Sequence, residues 1–112
     1  MINNQKILFK FIQINENVDW VIISYYYKLS ENFIHEFQNN VDWDMVSSRQ
    51  KVSEKFIIKF QDKIDWYFIS KLQTLSEDFL RKFSDKVHWS LILTYQNLSE
   101  NFEEEFKHKL ND

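Results

Sequence analysis

The sequence predicts an all-α fold: a right-handed-type α-solenoid of short two-helix, 23-residue repeats, about four units behind an N-terminal capping helix. Three observations predict it. Trp20, Trp43, Trp66 and Trp89 recur every 23 residues; Phe33, Phe56, Phe79 and Phe102 keep the same period, as do Phe37, Phe60, Phe83 and Phe106. Each period holds two helix-start signals, one at a serine and one just before the tryptophan. The apolar residues between them fall at helical rather than alternating spacing, as in Phe33, Ile34 and Phe37, or Ile22, Ile23, Tyr26 and Leu29. A period maintained over so many positions marks a repeat architecture before any single element is assigned.

The chain reads as one domain, 1–112. Residues 1–17 form an N-terminal cap, its segment 4–14 a degraded half-unit. Residues 18–40, 41–63, 64–86 and 87–112 form the repeats. In each serine start, Ser30, Ser53, Ser76 or Ser99 can accept a hydrogen bond from an orphan backbone N–H, and the following glutamate suits the positive end of the helix. Leu29 with Ile34 forms a hydrophobic staple across that start, repeated as Val52 with Ile57 and Leu75 with Leu80. In the second start, Asp19, Asp42 and Asp65 precede tryptophan as N-caps, and His88 is a weaker substitute. The staples there are Val18 with Ile23, Val41 with Val46, Ile64 with Ile69, and Val87 with Ile92. These signals predict helices over 20–28, 31–39, 43–51, 54–62, 66–74, 77–85, 89–97 and 100–109. Segments this short do not hold a helix alone in water, so stacking must stabilise them. Ile34, Ile57 and Leu80 are expected to face the following repeat. Their equivalent in the fourth unit is Glu103, so that unit is expected to carry a polar cap and to end the array.

Composition narrows the function classes. An apolar content of 44%, with 18% aromatic residues, is enough for a packed core. A net charge of −3 argues against both an acidic nucleic-acid mimic and a strongly basic binder. Cysteine is absent, which removes disulfide and thiol chemistry and fits a cytoplasmic setting. Glycine is absent as well, and with it the usual phosphate-cradling loops and nucleophile elbow. No long apolar stretch suggests a signal peptide or membrane span. The lack of Gly, Ala and Pro beside abundant Asn, Lys, Ile and Phe suggests an AT-rich genome.

The repeated stretches LSENFIHEFQNNVDW, VSEKFIIKFQDKIDW and LSEDFLRKFSDKVHW resemble short LSExF/VDW tandem repeats in uncharacterised proteins of phages and large DNA viruses. The resemblance covers nearly the whole chain after Asn17. It implies a helical-repeat fold and brings no catalytic residues with it.

No catalytic, metal or cofactor site is expected. The recurring Asp and Glu fit caps and helix-dipole partners; a catalytic carboxylate pair needs one special location rather than four equivalent ones. His35, His88 and His108 occupy different repeat phases and lack metal-ligand spacing. Lys51, Lys55, Lys59 and Lys63, with Arg81, Lys82 and Lys86 one unit on, could form a basic face for phosphates. The competing reading is a solvated face with ion pairs such as Glu36–Lys59 and Lys82–Glu105, each worth little.

In a solenoid, positions that vary between units are free for recognition. On the tryptophan helices these are Val21, Tyr25 and Lys28; Asp44, Ser48 and Lys51; Tyr67, Lys71 and Thr74; and Ser90, Thr94 and Asn97. The expectation is a non-enzymatic protein-binding module, a monomer or homodimer, centred on Val21, Tyr25, Lys28, Asp44, Ser48, Tyr67, Lys71, Ser90 and Thr94. With the resemblance, it extends to a phage or mobile-element inhibitor that sterically blocks a host defence protein. The alternative is a nucleic-acid-binding solenoid using the central lysines. No membrane partner is expected.

Overall fold

A computed structural model describes residues 5–15 and 17–110. The chain is all-α, a tandem repeat of short helix pairs of the solenoid class. Its helices are α1 (Gln5–Ile14), α2 (Trp20–Tyr26), α3 (Glu31–Glu36), α4 (Trp43–Arg49), α5 (Glu54–Lys59), α6 (Trp66–Leu72), α7 (Glu77–Lys82), α8 (Trp89–Tyr95), α9 (Glu100–Glu105) and α10 (Lys107–Leu110). Its contacts group into two compact units, Met1–Val52 and Ser53–Asp112. In the first, α2 packs on α4; in the second, α6 packs on α8, and α10 lies against α8 and α9.

The helices start where the caps require. Asp19 and Asp42 accept from the N–H groups of Ile22 and Met45, and Asp65 accepts from Tyr67. Ser30, Ser53, Ser76 and Ser99 accept from Phe33, Phe56, Phe79 and Phe102. His88 makes no side-chain cap bond. The staples close as expected: Leu29 and Ile34, Val41 and Val46, Ile64 and Ile69, Leu75 and Leu80, and Val87 and Ile92 are all buried. Each such side chain contributes roughly 1.5–3 kcal/mol by area removed from water.

The helices end earlier than the periodicity predicts. The tryptophan helices are 7 residues long and α3, α5, α7 and α9 only 6. The 100–109 segment divides into α9 and α10 at Phe106. No described residue has positive φ, so none of these ends uses the left-handed cap that glycine usually supplies. The serine helices stop in a turn: the N–H groups of Asn40 and Val41 both donate to the carbonyl of Phe37, at 2.9 and 3.0 Å. The tryptophan helices stop in extended backbone at Tyr27, Gln50, Gln73 and Gln96.

Ring contacts join Trp20, Trp66 and Trp89 to the serine helix that follows each of them. Ring centroids lie 4.7 Å apart for Phe33–Phe37 and for Phe79–Phe83, and 5.6 Å apart for Trp66–Phe83. The indole N–H groups of Trp43, Trp66 and Trp89 donate to the carbonyls of Gln38, Gln61 and Ser84 at 3.0, 3.1 and 2.9 Å. The half-buried tryptophan is thus a core residue with its polar edge satisfied. α1 joins the first unit through buried Leu8 and an edge contact between Phe9 and Phe37.

Candidate functional site

Most recurring polar side chains are occupied in joining repeats. Glu54 accepts from the backbone N–H and the hydroxyl of Ser76 at 2.6 and 2.9 Å, and Glu77 does the same to Ser99 at 2.7 and 2.9 Å. The hydroxyls of Ser76 and Ser99 therefore donate to a glutamate while accepting from the helix they cap. Glu54 and Glu77 are therefore more than helix-dipole partners: each clasps the serine cap of the following helix pair. In the first unit Gln5 takes that part, accepting from the N–H of Ser30 and donating to the carbonyl of Lys28.

A second set of contacts, between serine and glutamine, escapes the sequence reading. Gln50 donates to the carbonyls of Ser24 and Tyr27 at 2.8 and 2.7 Å and accepts from Leu29 N–H at 2.9 Å. The Ser24 hydroxyl accepts from Asp42 N–H at 3.0 Å. The same set recurs in the second unit. Gln96 donates to Ser70 and Gln73 carbonyls at 3.0 and 2.7 Å and accepts from Leu75 N–H at 3.1 Å, while Ser70 accepts from His88 N–H at 3.0 Å. Ser47 and Gln73 hold the same phases and are buried. The signal was available: Ser24, Ser47 and Ser70, and Gln50, Gln73 and Gln96, are themselves spaced by 23. Among the described residues, no buried side-chain nitrogen or oxygen lacks a partner.

The proposed recognition residues lie mostly at the surface, in both units. In the first, Val21, Lys28 and Asp44 are exposed, and Tyr25 and Ser48 are half-buried. Tyr25 lies under the Arg49 guanidinium, 4.1 Å from the ring centroid, and edge-on to Tyr26 at 4.6 Å. In the second, Tyr67, Ser90 and Thr94 are exposed and Lys71 is half-buried, its ammonium 5.6 Å from the Tyr95 ring. Tyr67 meets Phe68 and His88 edge-on. The structure adds residues to this face. Ile22 and Tyr26 are exposed on α2, Leu72 on α6 and Tyr95 on α8; Leu93, also exposed on α8, holds the phase of the buried Ser24 and Ser70 and lies off this face. Ile22, Met45, Phe68 and Leu91 share one repeat phase and are all apolar, although each is exposed or half-buried.

The lysine face is a mixed-charge surface. Lys55, Lys59, Lys63, Lys82 and Lys86 are exposed. Lys86 lies 3.9 Å from Asp62, and Lys109 lies 3.9 Å from Asp85. Glu105 pairs with Arg81 at 3.1 Å, whereas Lys82 places its ammonium over Phe83 at 5.6 Å. Arg81 also reaches Asp78 at 2.9 Å. The hydrogen bonds from Ser99, chiefly from its backbone, hold the Glu77 carboxyl below its ordinary pKa. The bond to Glu105 pushes Arg81 above its own ordinary value.

A groove of about 510 Å³ lies between α1 and α3, with Phe9 and Phe33 in its walls and Lys6, Lys10 and Glu36 at its margins. Among the described residues, no group of three or more His, Asp or Glu could hold a metal ion, and no helix is long and apolar enough to cross a membrane. In comparisons with known proteins, no family model, curated protein or solved structure matches the chain.

Proposed function

We propose that the chain is a non-enzymatic protein-binding repeat module that recognises its partner through the outer face of its tryptophan helices. One observation carries this reading: the apolar and aromatic residues left exposed on rigid, capped helices, Val21, Ile22 and Tyr26 in the first unit and Tyr67, Leu72 and Tyr95 in the second. Exposed aromatic residues on a preformed surface are frequent interface anchors, because little ordering is needed on binding. Ser24, Ser70, Ser76, Ser99, Gln50, Gln96, Glu54 and Glu77 are engaged between repeats, so these polar groups already have structural partners. A module of this kind acts by occupying a surface. It blocks its partner, as an inhibitor of a host defence protein would, or holds it for another protein.

Nucleic-acid binding through the lysines fits less well, because acidic partners interrupt the positive charge. Affinity capture from host lysate tests the reading. Wild type is compared with Ile22→Asp/Tyr26→Asp and with Leu72→Asp/Tyr95→Asp, each with and without nuclease. Capture of a protein that survives nuclease and is lost with either pair supports the face. Capture that depends on nucleic acid and is unchanged by both pairs overturns it.

A further inference from the structure

We infer that the outward side of α1 docks on the far side of the last helix pair of a second copy of this chain. α1 exposes Ile7 at 66%, Phe11 at 48% and Ile14 at 77%. Their spacing of four and three places them in one stripe along the helix. Lys6 and Lys10 flank the stripe, and α1 carries no acidic residue. Both lysines are exposed and make no ion pair among the described residues. The side chains that hold α1 in its own unit, Leu8 and Phe9, point elsewhere, so the stripe is additional to the packing of the first unit.

The complementary surface follows from the repeat. Two phases look toward the following unit, and a third is fully buried. The Ser24 and Ser70 hydroxyls accept from the next unit's cap residue. Glu54 and Glu77 clasp the next unit's serine. Ile34, Ile57 and Leu80 are fully buried. In the last pair these phases hold Leu93, Glu100 and Glu103, and all three are exposed, Leu93 at 48%. Leu93 and Glu103 replace the serine and the apolar residue of the earlier units, so this surface is not built to receive another identical repeat. It offers an apolar residue beside carboxylates, and Glu100 and Glu103 make no ion pair among the described residues.

Charge selects the occupant. Pairing α1 antiparallel with another α1 brings Lys6 toward Lys10 of the second copy, which is unfavourable. Pairing it with the Leu93–Glu100–Glu103 surface covers apolar side chains on both partners and neutralises unpaired charge of opposite sign. The two surfaces differ, so the contact is heterologous, and each pair leaves one surface of each kind open for further association. A contact built on one helix is smaller than a standard interface, so association is weak, concentration-dependent and sensitive to salt.

Sedimentation velocity tests the inference. The wild-type sedimentation coefficient should rise with protein concentration, and high salt should abolish the rise. Lys6→Glu/Lys10→Glu and Glu100→Lys/Glu103→Lys should each remain monomeric. Their equimolar mixture should associate again, because each reversed surface meets its complement on the other variant. Phe11→Ser/Ile14→Ser changes exposed side chains only and should also remain monomeric; circular dichroism establishes that each variant is folded. A wild type that stays monomeric throughout refutes the inference, whether or not it cosediments with phosphatidylserine vesicles. So does a Glu100→Lys/Glu103→Lys variant that associates as wild type does, because the contact would then lie elsewhere.

Discussion

Replacing Gln50 with alanine tests whether the serine–glutamine contacts hold the repeats together. Gln50 is 2% exposed, and its amide donates to the carbonyls of Ser24 and Tyr27 and accepts from Leu29 N–H. Truncation leaves the Ser24 carbonyl and the Leu29 N–H without these bonds in buried surroundings. Each buried group left unsatisfied costs about 1–3 kcal/mol. Water entering the vacated space recovers part of that. The net loss should be about 2–4 kcal/mol, a large part of the stability of a domain this size. The matching control is Gln38→Ala. Gln38 is also a glutamine, but its amide makes a single local bond to the His35 carbonyl at 2.9 Å. That variant should lose no more than about 0.5 kcal/mol.

The assay is urea unfolding followed by both tryptophan fluorescence and far-UV circular dichroism. Coincidence of the two transitions matters, because repeat proteins can lose two-state behaviour. If Gln50→Ala unfolds within about 0.5 kcal/mol of wild type, or no earlier than Gln38→Ala, the amide does not carry the load assigned to it and the reasoning fails.

Trp66→Ala removes an indole in ring contact with Phe79 and Phe83 and hydrogen-bonded to the Gln61 carbonyl. It should destabilise by about 3–5 kcal/mol, and a thermal melt matching wild type would refute its core role. The Glu77 clasp on Ser99 gives a pH signature. The Glu77 carboxyl is held below its ordinary pKa. The stability it supplies is therefore fully present above the unfolded carboxylate range and lost as pH falls through the folded value. The stability difference between wild type and Glu77→Gln should narrow as pH falls through that window. A difference that does not vary with pH in urea titrations would show that the clasp is not electrostatic in origin.

Helix starts were legible in the sequence and helix ends were not, for a physical reason. A cap such as Ser30 acts within three residues, on Phe33 N–H, so its signal is local. The end of α2 depends on Gln50, 23 residues beyond Tyr27, whose amide takes the carbonyls that a longer helix would bind itself. No local propensity encodes that bond. The serine phase was equally open to view, but a serine within a helix has an unremarkable propensity, and only its burial shows its purpose. The exposed surface behind the proposed function was partly legible. Variation between units pointed to Val21, Tyr25 and Tyr67. It passed over Ile22, Phe68 and Leu91, because an apolar residue that recurs with the period resembles core until its exposure is known.

That last distinction bears on function. Within a repeat, a recurring residue is held in place by one of two demands: packing or capping inside the fold, or service on an outer surface. Ile34, Ile57 and Leu80 satisfy the first, being fully buried. The phase of Ile22, Met45, Phe68 and Leu91 does not: its members remain exposed or half-buried, and still none is polar. Solvent favours polar residues at such positions, and packing accounts for only part of each side chain. Both units therefore carry apolar residues in one phase that their own folding covers only in part. That phase recurs while Val21, Asp44, Tyr67 and Ser90 beside it change from one helix to the next. Under the proposed function, a partner surface that lies on the recurring apolar residues and is discriminated by the changing ones would account for both properties, with affinity drawn from the first set and specificity from the second.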